Sequence, residues 1–183
     1  MSAPLPITIS QDGEPDLRFT AHWATRPTYE TPYYAVRIGF WKNRRGWRVD
    51  LTHHKLYLTN NPADIERFQI TNGFNLFTLS RAFRRKHLTY SLGAGPVITY
   101  PVNTVRGKRA DEERGVLGYL LSGATVVGMA TREVPLTGAL ALSLDARGSL
   151  SYARVPVADG HAKLPNAALH LHFGLGYLFG RKP

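Results

Sequence analysis

The chain has 183 residues, the size of one domain and enough to close a barrel or a two-sheet sandwich. It contains no cysteine, which excludes disulfides and thiolate metal sites, and no run of about 18 apolar residues, which excludes a helical membrane span. A formal net charge of +10 asks for an anionic partner, but the basic residues gather at 43–46, 84–87 and 106–109, between strand-like stretches. No helix suited to a major groove and no ribonucleoprotein-type aromatic motif accompanies them, so nucleic acid is not the expected partner.

Eight stretches alternate apolar and polar residues, as strands with one apolar face do. Residues 17–25 set Leu17, Phe19, Ala21 and Trp23 against Arg18, Thr20 and His22, and 33–42 set Tyr34, Val36, Ile38 and Phe40 against Ala35, Arg37 and Gly39. Residues 47–58 oppose Trp47, Val49 and Leu51 to Arg48, Asp50, Thr52 and His54, and a fourth strand is expected over 65–83. In 88–100, Leu88, Tyr90, Leu92, Ala94, Ile98 and Tyr100 face away from Thr89, Ser91, Gly93, Gly95 and Thr99; 118–131 is apolar on both parities and has no legible orientation. In 138–152, Leu140, Leu142, Leu144 and Leu150 oppose Ser143, Asp145, Arg147, Ser149 and Ser151. The last stretch, 170–179, puts Leu171, Phe173, Leu175, Tyr177 and Phe179 on one face and His170, His172, Gly174 and Gly176 on the other.

The polar faces hold Gly, Ser, Thr, His and Arg with Asp, rather than the Lys and Glu that populate a solvent-exposed sheet face, and such residues suit a narrow interior. Turns after the second, fourth and sixth stretches (43–46, 84–87, 132–137) are short; the longest connections are 101–117 and 154–166. Tight turns at one end and long loops at the other are the alternation of an outer-membrane barrel. The expected fold is therefore all-β: an eight-stranded antiparallel up-and-down transmembrane β-barrel over 17–179, with an N-terminal periplasmic segment 1–16 and a C-terminal tail 180–183. A lipocalin-like soluble carrier or a β-sandwich is the competing expectation.

His172-Phe-Gly174-Leu-Gly-Tyr177-Leu-Phe179 completes the picture. With the alternation over 17–179, it resembles the small eight-stranded outer-membrane β-barrels, the group that includes the OmpA transmembrane domain, OmpX and the lipid A-modifying barrels. The resemblance implies an outer-membrane location in a Gram-negative bacterium, with a secretory signal outside this sequence, which opens without one. It also implies that the barrel assembly machinery reads His172, Gly174, Tyr177 and Phe179. Outer-membrane lipids and lipopolysaccharide are the other expected partners of what is expected to be a monomer, with a side-chain-filled interior and no open channel.

Within that frame Arg37, Arg48, Asp50, His54, Asp145 and Arg147 are expected to form a polar network in the interior, because isolated charges there are costly and pairing is the remedy. Lys55, Arg106, Lys108 and Arg109 are expected at a rim that meets lipopolysaccharide phosphates, and loop 102–115 at the external surface. Alternation turns His53 and Lys55 toward lipid and His54 inward. Resemblance to the lipid A deacylase barrels carries over His53 alone, with His54 beside it as the other catalytic candidate if the chain is an acyl hydrolase; Lys55 stands where that family's His-x-Ser pair has its serine, so a non-enzymatic role is expected. A site made of His22, His170 and His172 is the one metal arrangement the spacing suggests; hydrogen-bonded histidines filling the interior are the preferred account, with no metal and no cofactor.

Overall fold

A computed structural model describes residues 1–28, 32–110 and 116–179. The protein is all-β, with an antiparallel sheet and no helix among the described residues. The strands are β1 (Leu5–Gln11), β2 (Leu17–Ala21), β3 (Trp23–Ala24), β4 (Tyr34–Lys42), β5 (Arg45–Leu58), β6 (Ile65–Arg85), β7 (Leu88–Val105), β8 (Lys108–Arg109), β9 (Leu120–Pro135), β10 (Leu140–Val157) and β11 (Gly160–Tyr177). Their order in the sheet is β2-β1-β11-β10-β9-β7-β6-β5-β3, with β4 on β5 beside β3 and β8 on β7. Among the described residues no ladder joins β4 to β11, so the sheet is not closed.

The sheet nevertheless curls, because Arg37 on β4 bonds Asp145 on β10 and Arg147 on β10 bonds Asp50 on β5. Along the long strands its enclosed side changes character. Toward the turns at 43–44, 86–87 and 136–139 it is polar: Arg48, Asp50, Thr78, Thr131 and Arg147 have no more than 1% of their surface exposed. The opposite face there is apolar and open, with Leu92, Leu171, Phe173 and Leu175 between 68% and 79% exposed. Toward the other end the enclosed side is an ordinary hydrophobic core of Ile7, Ile9, Leu56, Phe68, Ile70, Phe74, Leu76, Val97, Val105, Val155, Val157 and Leu164. Register shifts at His54/Leu56, Ile70/Phe74 and Val97/Ile98 sit where one interior gives way to the other. An extra residue bends a strand and increases its twist; Gly73, at φ 137, supplies a backbone that other residues rarely adopt.

Several expectations are corrected. Residues 17–25 do not form a full-length strand: β2 pairs with β1, His22 interrupts, and β3 pairs with β5 through Trp23↔Leu58 and Ala24↔Tyr57. Asn60 locks the interruption, accepting from the His22 N–H and donating to the Thr20 carbonyl. Segment 1–16 is not an appendage beside the tight turns; it contains β1, which pairs with β2 and with the start of β11 at the far end of the molecule. The expected long loop 154–166 is ladder, from Arg154↔Lys163 to Val157↔Gly160, turning through Asp159 at φ 54. Prolines hid that hairpin: Pro156 and Pro165 look like breakers in sequence yet lie within the strands opposite His161 and Tyr152. Likewise 101–105 extends β7. The stretch over 118–131 has an orientation after all: Thr125, Val127, Met129 and Thr131 are enclosed, while Val126 and Gly128 are exposed. Residues 111–115 and the tail 180–183 lie outside the described residues.

Candidate functional site

The polar interior is built from alternate residues of β4, β5, β9 and β10. Arg37 donates from Nε to Asp50 at 2.6 Å and from Nη1 to Asp145 at 3.0 Å. Arg147 donates to the same Asp50 oxygen at 2.7 Å and to the Thr52 hydroxyl. Arg48 reaches Thr131 at 2.8 Å and Glu133 at 3.5 Å. Three guanidiniums therefore face three carboxylates, and Asp50, which has no exposed surface, carries two of them. Buried charges survive only when paired and hydrogen-bonded, and removal of one partner strands the others. Trp41 closes this layer at the turn end, with the Arg84 and Arg48 guanidiniums 3.8 and 5.4 Å from its ring centroid.

A second cluster lies between the charge network and the apolar core. The Tyr33 hydroxyl is 2.7 Å from both His170 Nδ1 and His172 Nε2, and its ring stacks on both imidazoles. One hydroxyl hydrogen serves one of these nitrogens, so the other imidazole must donate to the oxygen. His170 Nε2 is 3.0 Å from Ser149 Oγ. His54 stands edge-on to His170 at 5.0 Å and to Phe74 at 6.1 Å, and its Nε2 is 3.2 Å from Ser2 Oγ.

Of the expected network, Arg37, Arg48, Asp50, Asp145 and Arg147 come together, whereas His54 belongs to the histidine cluster. His53 keeps the outward parity of its ladder partners Tyr34 and Asn75, but they cover it and it is only 3% exposed; Lys55 does not face outward as alternation suggested and is 0% exposed. His53 stacks on Tyr34 and pairs through Nδ1 with the Asn75 amide oxygen at 2.8 Å. Lys55 is the residue skipped at the β5 bulge, its Nζ 5.8 Å from the Tyr57 ring centroid. It is therefore not a rim residue. Arg106 and Lys108 do lie on the surface of the apolar-core end, but with acidic partners: Arg106 near Asp64 at 3.5 Å and Lys108 on Asp159 at 2.9 Å, which holds the Lys108 ammonium above its usual range. Arg109 is exposed on β8. His22 is exposed and fixed to Asn60, away from His170 and His172, and no group of side chains suited to a metal ion occurs among the described residues. Of the assembly-signal residues, His172 joins the Tyr33 cluster, Gly174 is exposed, and Tyr177 and Phe179 meet edge-to-face at 4.8 Å on the outer surface.

Comparison of the chain with protein-family models, with curated proteins and with solved structures gives no match. Sequence reasoning missed Tyr33, although the expected strand 33–42 gives it the parity of Arg37, and Glu133, because the expected strand stopped short of it. It also missed Ser149 as a histidine partner, although its parity with Asp145 and Arg147 was visible.

Two serines stand beside imidazoles of the cluster, Ser2 at His54 and Ser149 at His170. His54 Nδ1 has no hydrogen-bond partner among the described residues, so no carboxylate orients the ring beside Ser2. His54 is also 1% exposed.

Proposed function

We propose that this chain is an integral β-barrel protein of a Gram-negative outer membrane, non-enzymatic, with an interior filled by its own charge network and a structural or surface-interaction role. One observation carries the reading: the part of the sheet with tight turns is inside out. Its buried residues are Arg48, Asp50, Thr131 and Arg147, and its exposed ones are Val36, Ile38, Phe40, Leu79, Leu92, Leu150, Leu171, Phe173 and Leu175. A water-soluble protein rarely leaves a continuous apolar face beyond a few hundred Å² uncovered, whereas a bilayer demands one. Aromatic side chains border this band on the turn side, including Trp47, Phe83, Tyr177 and Phe179, in the manner of an interfacial girdle.

The basic residues at the tight-turn end, Lys42, Arg44, Arg45, Arg84, Arg85 and Lys86, fit anionic lipid headgroups. With the turns on the periplasmic side, the apolar-core end would stand outside the membrane and present Arg106, Lys108 and Arg109 to lipopolysaccharide. The family implied by the sequence, the small OmpA- and OmpX-like barrels assembled by the barrel machinery, remains the proposed affiliation. Refolding into detergent and electrophoresis with and without boiling tests the proposal. A heat-modifiable band is expected; a protein monodisperse in buffer without detergent contradicts it and favours a soluble carrier.

The Ser2–His54 pair favours a second reading, a lipid A acyl hydrolase. It requires that His54→Ala in the native host alter the lipid A mass profile. The barrel proposal expects an unchanged profile.

A further inference from the structure

We infer that the open seam between β4 and β11 is a slot for one more strand, and that its occupant is a segment of the chain entering at Met1. The inference rests on the barrel reading above. Both seam edges run the same way: β4 from Tyr34 to the turn after Lys42, and β11 from the Asp159 turn down to Tyr177. Direct closure would put one parallel ladder in an antiparallel sheet. A single inserted strand running upward is antiparallel to both edges, and it brings the polar-interior wall from seven strands (β4, β5, β6, β7, β9, β10, β11) to the even number usual for such barrels.

The upper half of the same β11 edge already carries such a strand. β1 pairs from Gln11↔Gly160 to Thr8↔Lys163, and the pairing resumes at Ser2↔Ala168. Met1 then donates its amino N–H to the Leu169 carbonyl at 2.6 Å and accepts the Leu169 N–H at 2.9 Å. Going backward from Gln11 to Met1 thus descends β11 to the point where its edge becomes free. Chain upstream of Met1, continuing in register, runs down the seam; at one residue per partner, roughly eight more residues reach Tyr177.

The free edge is poised for that ladder. Since the Leu169 N–H points to Met1, alternation turns the N–H groups of Leu171, Phe173, Leu175 and Tyr177 toward the seam, while the Leu178 N–H points the other way, to the Ala139 carbonyl. Inward-facing residues beside the seam are open where their counterparts elsewhere are covered: Ala35, Gly39 and Gly174 are exposed, and a Cβ on Gly174 would meet nothing within 4 Å. The occupant should alternate, with small or polar residues inward and apolar residues outward in line with Leu171, Phe173 and Leu175.

The test compares the 183-residue chain with the same chain prolonged at Met1 by the codons its own gene carries upstream, using residue-resolved amide exchange and mass in detergent. In the shorter chain the Leu171, Phe173, Leu175 and Tyr177 amides should exchange faster than their even-numbered neighbours, on the order of 100-fold; in the longer chain both sets should be equally slow, and both chains monomeric. Protection of these amides in the shorter monomer would mean that the edges pair directly, and protection only in a dimer that a second copy fills the slot. Either result, or fast exchange persisting in the longer chain, overturns the inference. Independently of refolding, the intact mass of the protein isolated from its native membrane should place the mature N-terminus at least those roughly eight residues before Met1; a mature chain beginning at Met1 overturns it. Heat-modifiability tests the bilayer reading separately: a chain soluble without detergent whose amides are still protected by the extension loses the membrane and keeps the slot.

Discussion

The two ends of this protein use the same strands to solve opposite problems. At the β1–β2 end, Ile9, Ile70, Val155 and Leu164 point inward and Glu66, Arg67, Arg154 and Lys163 point outward, as in a protein surrounded by water. A few residues further along β5, β7, β10 and β11, Asp50, Thr89, Arg147 and His170 point inward and Trp47, Leu92, Leu150 and Leu171 outward. The change happens within single strands, near the bulges in β5, β6 and β7 and the Tyr33–His54–His170 cluster. Folding physics on each side is the same; the expected surroundings differ. An apolar interior is favoured by what leaves water, a charged interior only by pairing and by the lack of any better place for the charges.

Substitutions that treat the ends differently sharpen this contrast. The largest effect is expected from Asp50→Ala, which strands Arg37 and Arg147 together: a loss of about 3–5 kcal/mol, measured by urea unfolding of the refolded protein in micelles or vesicles. Next is Leu171→Arg. On a bilayer-facing surface it should cost about 2–4 kcal/mol in vesicle unfolding, whereas the same change on a water-exposed surface would cost almost nothing. A smaller loss, about 0.5–1.5 kcal/mol, is expected for Ile9→Val in the apolar core, and it should be the same in detergent as in vesicles, since that core does not face acyl chains.

Smallest is a pH effect at the apolar-core end. Hydrogen bonds from Ser10 and then from Arg18 hold the Asp16 carboxyl below its ordinary range. A carboxyl whose folded pKa lies below the unfolded value of about 3.9 contributes stability above that value, and the contribution is lost as pH falls through the folded pKa. Asp16→Asn should therefore slightly flatten the loss of stability on acidification below about pH 4 and leave neutral pH almost unchanged, as an exposed pair allows. Acid titration of the unfolding midpoint checks it.

Period-two alternation was enough to orient most of the polar-interior region. Trp47 against Arg48, Leu150 against Ser149 and Leu171 against His172 all face as their parity indicates, because one uninterrupted ladder keeps the period at two. Alternation failed where the ladder breaks. Lys55 occupies a bulge, so its parity carries no information; His53 just before it keeps its outward parity, but the stacked Tyr34 ring covers it. Residues 17–25 alternate convincingly, yet Asn60, distant in sequence, divides them at His22. The Tyr33 cluster was invisible for another reason: its histidines were plain in the sequence, but the hydroxyl that joins them lies just before β4, and only the curl of the sheet brings it to β11.

On the proposed reading the face bearing Leu171, Phe173 and Leu175 meets acyl chains. With no native cysteine, nitroxide labels can be placed singly at Leu171→Cys, His172→Cys, Phe173→Cys and Leu175→Cys in the protein refolded into vesicles, and their collisions with dissolved oxygen and with a water-soluble nickel chelate compared. High oxygen and low nickel accessibility are expected at 171, 173 and 175, and low accessibility to both at 172. Free access of the nickel chelate to 171, 173 and 175 would contradict that reading.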